Sequence, residues 1–215
     1  KRWGDVRLAS MPGLNDVTID NTISLAGVAV NLGIQNKWYV STNGADNLAG
    51  NHPNFAFGSI KHALSYIQES SGGPHQLHIL PGTYIEDFPL EIPENVSIKG
   101  SGIRSCIIKP RVQYRGNDAF IMNNATMVAD VTITDFQYVP AEDKGYAFRF
   151  STNAGIVSKS PYVQNVTVLT HGETTSASDP RGFASGDAGK GALLDANVLD
   201  TASPRASMLF NGVTF

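Results

Sequence analysis

A short phrase recurs down the second half of this chain, and it limits the possible folds more than any other feature. Asn95-Val96-Ser97-Ile98 returns as Asp130-Val131-Thr132-Ile133, Asn165-Val166-Thr167-Val168 and Gly212-Val213-Thr214-Phe215. The valines at 96, 131, 166 and 213 are spaced by 35, 35 and 47 residues. A fixed period of about 20–50 residues marks a solenoid. Each copy alternates apolar and polar residues, the pattern of a strand with one buried face. A second phrase precedes three of the copies: Ala119-Phe120-Ile121-Met122, Ala147-Phe148-Arg149-Phe150 and Ala192-Leu193-Leu194-Asp195. Two short strand phrases per period describe coils of a parallel β-helix better than helical repeats. In that register Ile98, Ile133 and Val168 stack inside, with Thr132 on the outer face. The longer last interval holds an insertion, residues 171–191, rich in Gly, Ser, Thr, Asp and Ala. An insertion of that length is functional or mobile. Its Asp179, Arg181, Asp187 and Lys190 are candidates for contact with sugar or a neighbouring subunit, against a default of a solvated loop.

The 215 residues suffice for a substantial core in one or two domains. A net charge of −3 argues against nucleic acid as the main partner, because phosphate binding needs clustered Lys and Arg. The 21 Gly and a charged fraction of only 16% fit a turn-rich β fold. The single cysteine, Cys106, rules out an internal disulfide or a Cys-based zinc site. It sits in the apolar run Cys106-Ile107-Ile108 and reads as a buried structural thiol, not a nucleophile. No apolar run reaches the roughly 18–20 residues of a membrane span, and no signal peptide is evident. Starting at Lys1, the chain reads as a processed product or part of something longer.

Residues 1–37 form a β-rich stalk or linker. Val17, Ile19, Ile23, Leu25, Val28, Val30 and Leu32 alternate with small or polar residues and predict three short strands. These are too few to cover their own apolar faces, which predicts association with copies of the same strip and hence a homotrimer. The main domain is expected over 38–215, with a cap at 38–76 and coils at 77–215. Trp38-Tyr39-Val40 opens it as a strand, and a Gly/Asn/Pro-rich loop over 41–57 ends at Phe55 and Phe57. Ile60, Ala63, Leu64 and Ile67 make one apolar helical stripe, with Ser59 as N-cap and Ser70-Ser71-Gly72-Gly73-Pro74 as the stop. Such a helix is a natural lid for a stack of coils. Strands are then expected at 77–80, 88–92, 96–99 and 106–109, the last two pairing off around Gly100-Ser101-Gly102. Asn95, Asn124 and Asn165 begin Asn-x-Ser/Thr triplets, a pattern that also marks glycosylation. Their phase in the repeat favours left-handed corner residues instead.

Tyr39-Val40-Ser41-Thr42-Asn43-Gly44-Ala45-Asp46, Phe57-Gly58-Ser59-Ile60-Lys61-His62-Ala63 and Leu80-Pro81-Gly82-Thr83-Tyr84-Ile85-Glu86 resemble the opening of pectin-lyase-like right-handed parallel β-helices. Ile92-Pro93-Glu94-Asn95-Val96-Ser97-Ile98-Lys99-Gly100-Ser101-Gly102 fits as the first coil and turn. Gly155-Ile156-Val157-Ser158-Lys159-Ser160-Pro161-Tyr162-Val163-Gln164-Asn165 and Gly189-Lys190-Gly191-Ala192-Leu193-Leu194-Asp195 are similar to virion structural proteins of tailed phages, notably cyanobacterial ones. Asp20 to Val28 resembles the stalk repeats before such domains. The resemblance implies a virion location, as tail fibre, tailspike or baseplate component. The implied partners are its own copies, other tail or baseplate proteins and host surface polysaccharide.

Enzymes with this fold edit polysaccharides, so the acidic residues need a search. Gly82-Thr83-Tyr84-Ile85-Glu86 resembles the Gly-x-Tyr-x-Glu element of pectin methylesterases, but their other segments are absent. A structural use, Tyr84 beside the cap helix and Glu86 in a turn, is the expectation. The Asp-Asp pair and Gly-His-Gly of polygalacturonases are missing, since Thr170 precedes His171-Gly172. A pectate-lyase calcium face needs several carboxylates in a column. Asp130, Asp135, Glu142 and Asp143 find no carboxylate in the Asn165 coil. Glu86-Asp87 and Glu142-Asp143 are sequence neighbours, which point to opposite faces of a strand. His75 and His78 lack a third ligand and read as exposed polar residues. No phosphate-binding loop is present. No catalytic, cofactor or metal residue is therefore assigned. The expected function is structural or adhesive. A depolymerase or esterase with its site beyond Phe215 or between subunits is the alternative; a secreted adhesin would normally bring a signal peptide. The last copy of the phrase stops in mid-strand, which predicts further coils beyond Phe215 or a docked subunit.

Overall fold

The structure, a computed structural model, describes residues 22–25, 28–31, 36–70, 73–150, 159–170, 187–194 and 209–215. The chain divides into two units, Lys1–Ile34 and Gln35–Phe215. In the first, β1 (Thr22–Leu25) pairs antiparallel with β2 (Val28–Asn31), with Ile23 opposite Val30. The third expected strand lies outside the described residues.

The second unit is mostly β-sheet, built from parallel strands and one α-helix. It begins with β3 (Asn36–Val40), so Asn36 and Lys37 belong to its hydrogen-bonded ladder and not to the strip before it. After the loop comes α1 (Ile60–Glu69), then β4 (His75–Ile79), β5 (Gly82–Glu86) and β6 (Leu90–Glu91). The next pass holds β7 (Val96–Gly100), β8 (Cys106–Pro110) and β9 (Phe120–Ile121). A third holds β10 (Met127–Ala129), β11 (Thr132–Thr134), β12 (Gln137–Tyr138) and β13 (Tyr146–Phe150). Then follow β14 (Tyr162–Leu169), β15 (Asp187–Ala188), β16 (Lys190–Leu194) and β17 (Leu209–Thr214).

Apart from β12 and β15, which pair antiparallel with each other, these strands form three parallel stacks, visited in the same order on each pass. The first runs β3, β4, β7, β10, β14, β17; the second β5, β8, β11, β14; the third β6, β9, β13, β16. The eight-residue β14 serves two stacks, its first half beside β10 and its second beside β11. Register aligns apolar side chains of one stack into columns. Leu77, Ile98, Val128 and Val163 make one; Tyr84, Ile108, Ile133 and Val168 another; Leu90, Phe120 and Phe148 a third. All are buried, and Phe120 and Phe148 stack with ring centroids 6.0 Å apart.

The repeat is real, but its first copy is out of register. Ile133 lies between Ile108 and Val168, while Ile98 pairs with Val128 in a different stack. The reason is local conformation. Asp130, Asn165 and Gly212 stand at equivalent positions with φ of 59°, 50° and 63°, a left-handed corner followed by a strand. Asn95 has φ 62° too, but at another corner, where Ala125 (φ 53°) stands in register with it. One local preference, left-handed corner then alternating strand, serves two corners. The phrase marks a corner type, not a place in one particular stack. Asn124 is not left-handed: its side chain accepts from the Lys159 N–H and donates to Glu94. Gly100 occupies the position of Asp130 one level earlier, where a Cβ would fall 2.3 Å from the Asp130 carbonyl oxygen.

Other expectations need correction. β7 and β8 do not pair with each other; each bonds parallel neighbours in its own stack. β5 was hidden behind the Pro81-Gly82 turn signal. In the second phrase Phe148 faces Phe120 as expected, but it faces Ala192 where the phrase aligned Leu193. The strands β15 and β16 claim residues 187–188 and 190–191 of the expected insertion; Asp179 and Arg181 lie outside the described residues. Thr132 is buried, because the loop after β7 folds over it and its hydroxyl donates to the Ile103 carbonyl at 2.5 Å.

The helix behaves as its sequence predicts. Ile60, Ala63, Leu64 and Ile67 are buried, and the Ser59 hydroxyl accepts from the His62 N–H at 3.2 Å. Asp46, thirteen residues earlier, accepts from the Gly58 and Ser59 N–H groups and the Ser59 hydroxyl. The helix touches β3 and β4, β5 and β6, a strand from each stack.

Candidate functional site

Glu86 is the residue whose surroundings differ most from expectation. It ends β5, is buried, and accepts from the Ile60 N–H at 2.7 Å and the Lys61 N–H at 3.2 Å. Its carboxylate thus caps the first turn of α1 from 25–26 positions away, where unpaired N–H groups and the helix dipole favour negative charge. Burial nevertheless outweighs those bonds and holds its carboxyl above the usual glutamate range. Tyr84 points inward from the same strand and donates to the Leu80 carbonyl at 2.6 Å; burial pushes its phenol up. Both residues of the esterase-like element are occupied in joining β5 to its neighbours.

Asp118, which pattern reasoning missed, is buried ahead of β9. It accepts from the Gly145 and Tyr146 N–H groups, each at 2.9 Å, and forms an ion pair with Arg149. Arg149 also donates to the Asp143 carbonyl. The Asp143 carboxylate accepts from the Tyr146 and Tyr138 hydroxyls at 2.8 and 3.0 Å, which hold its pKa below the usual range. Lys190 sits 3.4 Å over the Tyr138 ring centroid. This cluster ties the segment ahead of β9 to β12, β13 and β16, and its charges are already paired. An Asp followed 31 residues later by an outward Arg on the neighbouring strand was the available signal, visible only once the register is known.

The remaining candidates are likewise engaged. Asp130 accepts from Asn165 at 2.6 Å, and Asp135 lies 3.8 Å from Lys109. Glu142 pairs with Lys144 at 2.8 Å, and Asp87 with Arg111 at 2.7 Å. Cys106 is buried, its thiol 3.3 Å from the Ile79 carbonyl. His75 is buried, contrary to expectation, and its Nδ1 accepts from the Trp38 indole N–H at 3.0 Å. Inward pointing follows from strand parity: His75, Leu77 and Ile79 share the buried face. No group of three His, Cys, Asp or Glu among the described residues is placed to hold a metal ion.

Two of the depressions among the described residues gather several polar side chains. The larger, about 400 Å³, lies beside the end of α1 between Gln68, His75, Glu91, Glu94 and Asn123. Several of its polar groups are used: Glu94 accepts from Asn124, and Asn123 donates to the Ile92 carbonyl. The smaller, about 240 Å³, lies on the outer face of the first stack and is lined by Lys37, Tyr39, Gln76, His78 and Lys99. Lys37 faces Gln76 across β3 and β4, while Tyr39, His78 and Lys99 form one row across β3, β4 and β7. The Tyr39 and His78 rings meet edge to face at 5.9 Å. Partial burial, then Lys99 and Lys37, lower the His78 pKa. No family model, curated protein or solved structure matches this chain.

Proposed function

We propose that this chain is a right-handed parallel β-helix that serves as a structural and adhesive component of a phage tail. Tail fibre, tailspike and baseplate-associated protein are the assignments its sequence resemblance implies. One observation carries the β-helix reading: three parallel stacks are visited in constant order, with aligned apolar columns. Such an architecture makes a stiff rod with register-fixed outer rows, which suits load-bearing and attachment. The absence of catalysis in this segment is supported by Glu86, whose carboxylate is committed to the α1 N-terminus. The apolar alternation of residues 15–37 supports a homotrimer, in which three copies cover one another's faces.

Immunogold labelling of virions with an antibody against this chain tests the location; label on the tail is expected, and its absence there overturns the reading. Incubation with pectin, methylated polygalacturonate and host capsule or lipopolysaccharide tests the activity. No new reducing ends, unsaturated sugars or methanol are expected. Turnover that Glu86→Gln abolishes would establish the esterase instead.

A further inference from the structure

We propose that the outer face of β3, β4 and β7 binds an anionic saccharide, gripped by Lys37, His78 and Lys99 around Tyr39 and Gln76. The saccharide identity rests on the attachment reading above; the anion site rests on the geometry alone.

The face is assembled by register. Parallel strands hydrogen-bonded at about 4.8 Å spacing bring Tyr39, His78 and Lys99 into one row. Lys37 and Gln76 stand two positions earlier on β3 and β4, so on the same face. Three groups able to carry positive charge thus converge on one shallow depression, on a chain whose net charge is −3. Neither Lys37 nor Lys99 has a carboxylate within 4.0 Å among the described residues. Like charges gathered without a counterion repel one another, and a bound anion relieves that repulsion.

The ligand's chemistry follows from the lining. Two lysines offer point charges for a carboxylate or sulfate. The Gln76 amide both donates and accepts, as a hydroxyl-bearing ring requires. The Tyr39 and His78 rings supply the aromatic surface beside it. The lining contains no arginine and no run of stacking aromatics, so nucleic acid is the poorer fit. His78 doubles as a reporter. Among the groups facing it, Lys37 and Lys99 disfavour its charged form and Ser101 lies 3.4 Å from its Nε2. A bound carboxylate favours the imidazolium and raises its pKa.

The test is NMR of the His78 ring in the full chain, titrated with an oligogalacturonate hexamer at low salt. Maltohexaose, inorganic sulfate and single-stranded DNA serve as separate arms. The expected result is saturable binding of the acidic hexamer, an upward shift of the His78 pKa, and weakening with salt. Lys37→Gln and Lys99→Gln should each weaken binding about two- to fivefold, the range of exposed charge pairs. Both sites are solvent-facing, so the variants should fold, as identical thermal unfolding will show. An unmoved His78 pKa, equal binding by Lys99→Gln, equal binding of maltohexaose, or tighter binding of DNA overturns the proposal. Sulfate binding as strong as the hexamer's leaves an anion site without saccharide recognition, which also overturns it. Tail labelling with no hexamer binding removes this inference alone; hexamer binding with unlabelled tails removes the tail reading alone.

Discussion

Glu86 shows how one residue can carry conflicting energetic terms. Two N–H donors and a helix N-terminus favour its charge, yet desolvation prevails and its pKa rises above 4.5. Because the folded protein binds the proton more tightly than the unfolded chain, this group's contribution to stability falls as pH rises. The fall begins at the ordinary value and ends above the raised one. Denaturation curves between pH 4 and 7 should show that component in the parent, and Glu86→Gln should lack it. Glu86→Ala leaves the Ile60 and Lys61 N–H groups without their acceptor and should cost about 2 kcal/mol by urea unfolding. A loss below about 0.5 kcal/mol would mean that water replaces the carboxylate.

At the scale of elements, the entry to α1 is a shared junction. Ser59 caps the helix while Asp46 holds Ser59 and Gly58 from the preceding loop. Ser59→Ala should cost about 1 kcal/mol, the usual worth of an N-cap, and Asp46→Ala a similar amount. Since the Ser59 hydroxyl bonds Asp46, the double variant should lose less than the sum. Strict additivity of the urea midpoints would contradict the coupling. The corners behave as a second recurrent element. Asn165 donates to Asp130 across one level of a left-handed column that Gly212 continues. A β-branched residue at either carboxyl or amide position would have to adopt a positive φ that its side chain resists.

For the whole molecule, the stacked apolar columns make buried charge intolerable. Ile133, fully buried between Ile108 and Val168, is the strongest probe. Ile133→Asp should cost several kcal/mol through an unpaired buried carboxylate. The control is Ile85→Asp, since Ile85 is 52% exposed on its strand; Thr132 cannot serve, being covered by Ile103. Equal melting of the two variants would refute the columns. Assembly has its own measure. Sedimentation of the 215-residue chain should give about three times its 23.0 kDa mass, and a stable monomer with residues 1–37 ordered would count against the trimer.

Much of this was legible in the residues, because the determinants are local. The α1 stripe and its Ser59 cap depend on side chains within one or two turns, and both are where the pattern puts them. The left-handed corners at Asn95 and Asn165 depend on the residue's own backbone energetics, and Cys106 is buried as its apolar neighbours indicate. Tertiary structure alone decided what depends on partners far away in sequence. The register that sets Ile133 beside Ile108 depends on loop lengths, because a phrase repeated at two different corners cannot say which stack it joins. Glu86 became a helix cap, and Asp118 the partner of Arg149, only when the strands closed gaps of 26 and 31 residues. The row of Tyr39, His78 and Lys99 exists for the same reason: hydrogen bonding between parallel strands, not proximity along the chain, brings those side chains together.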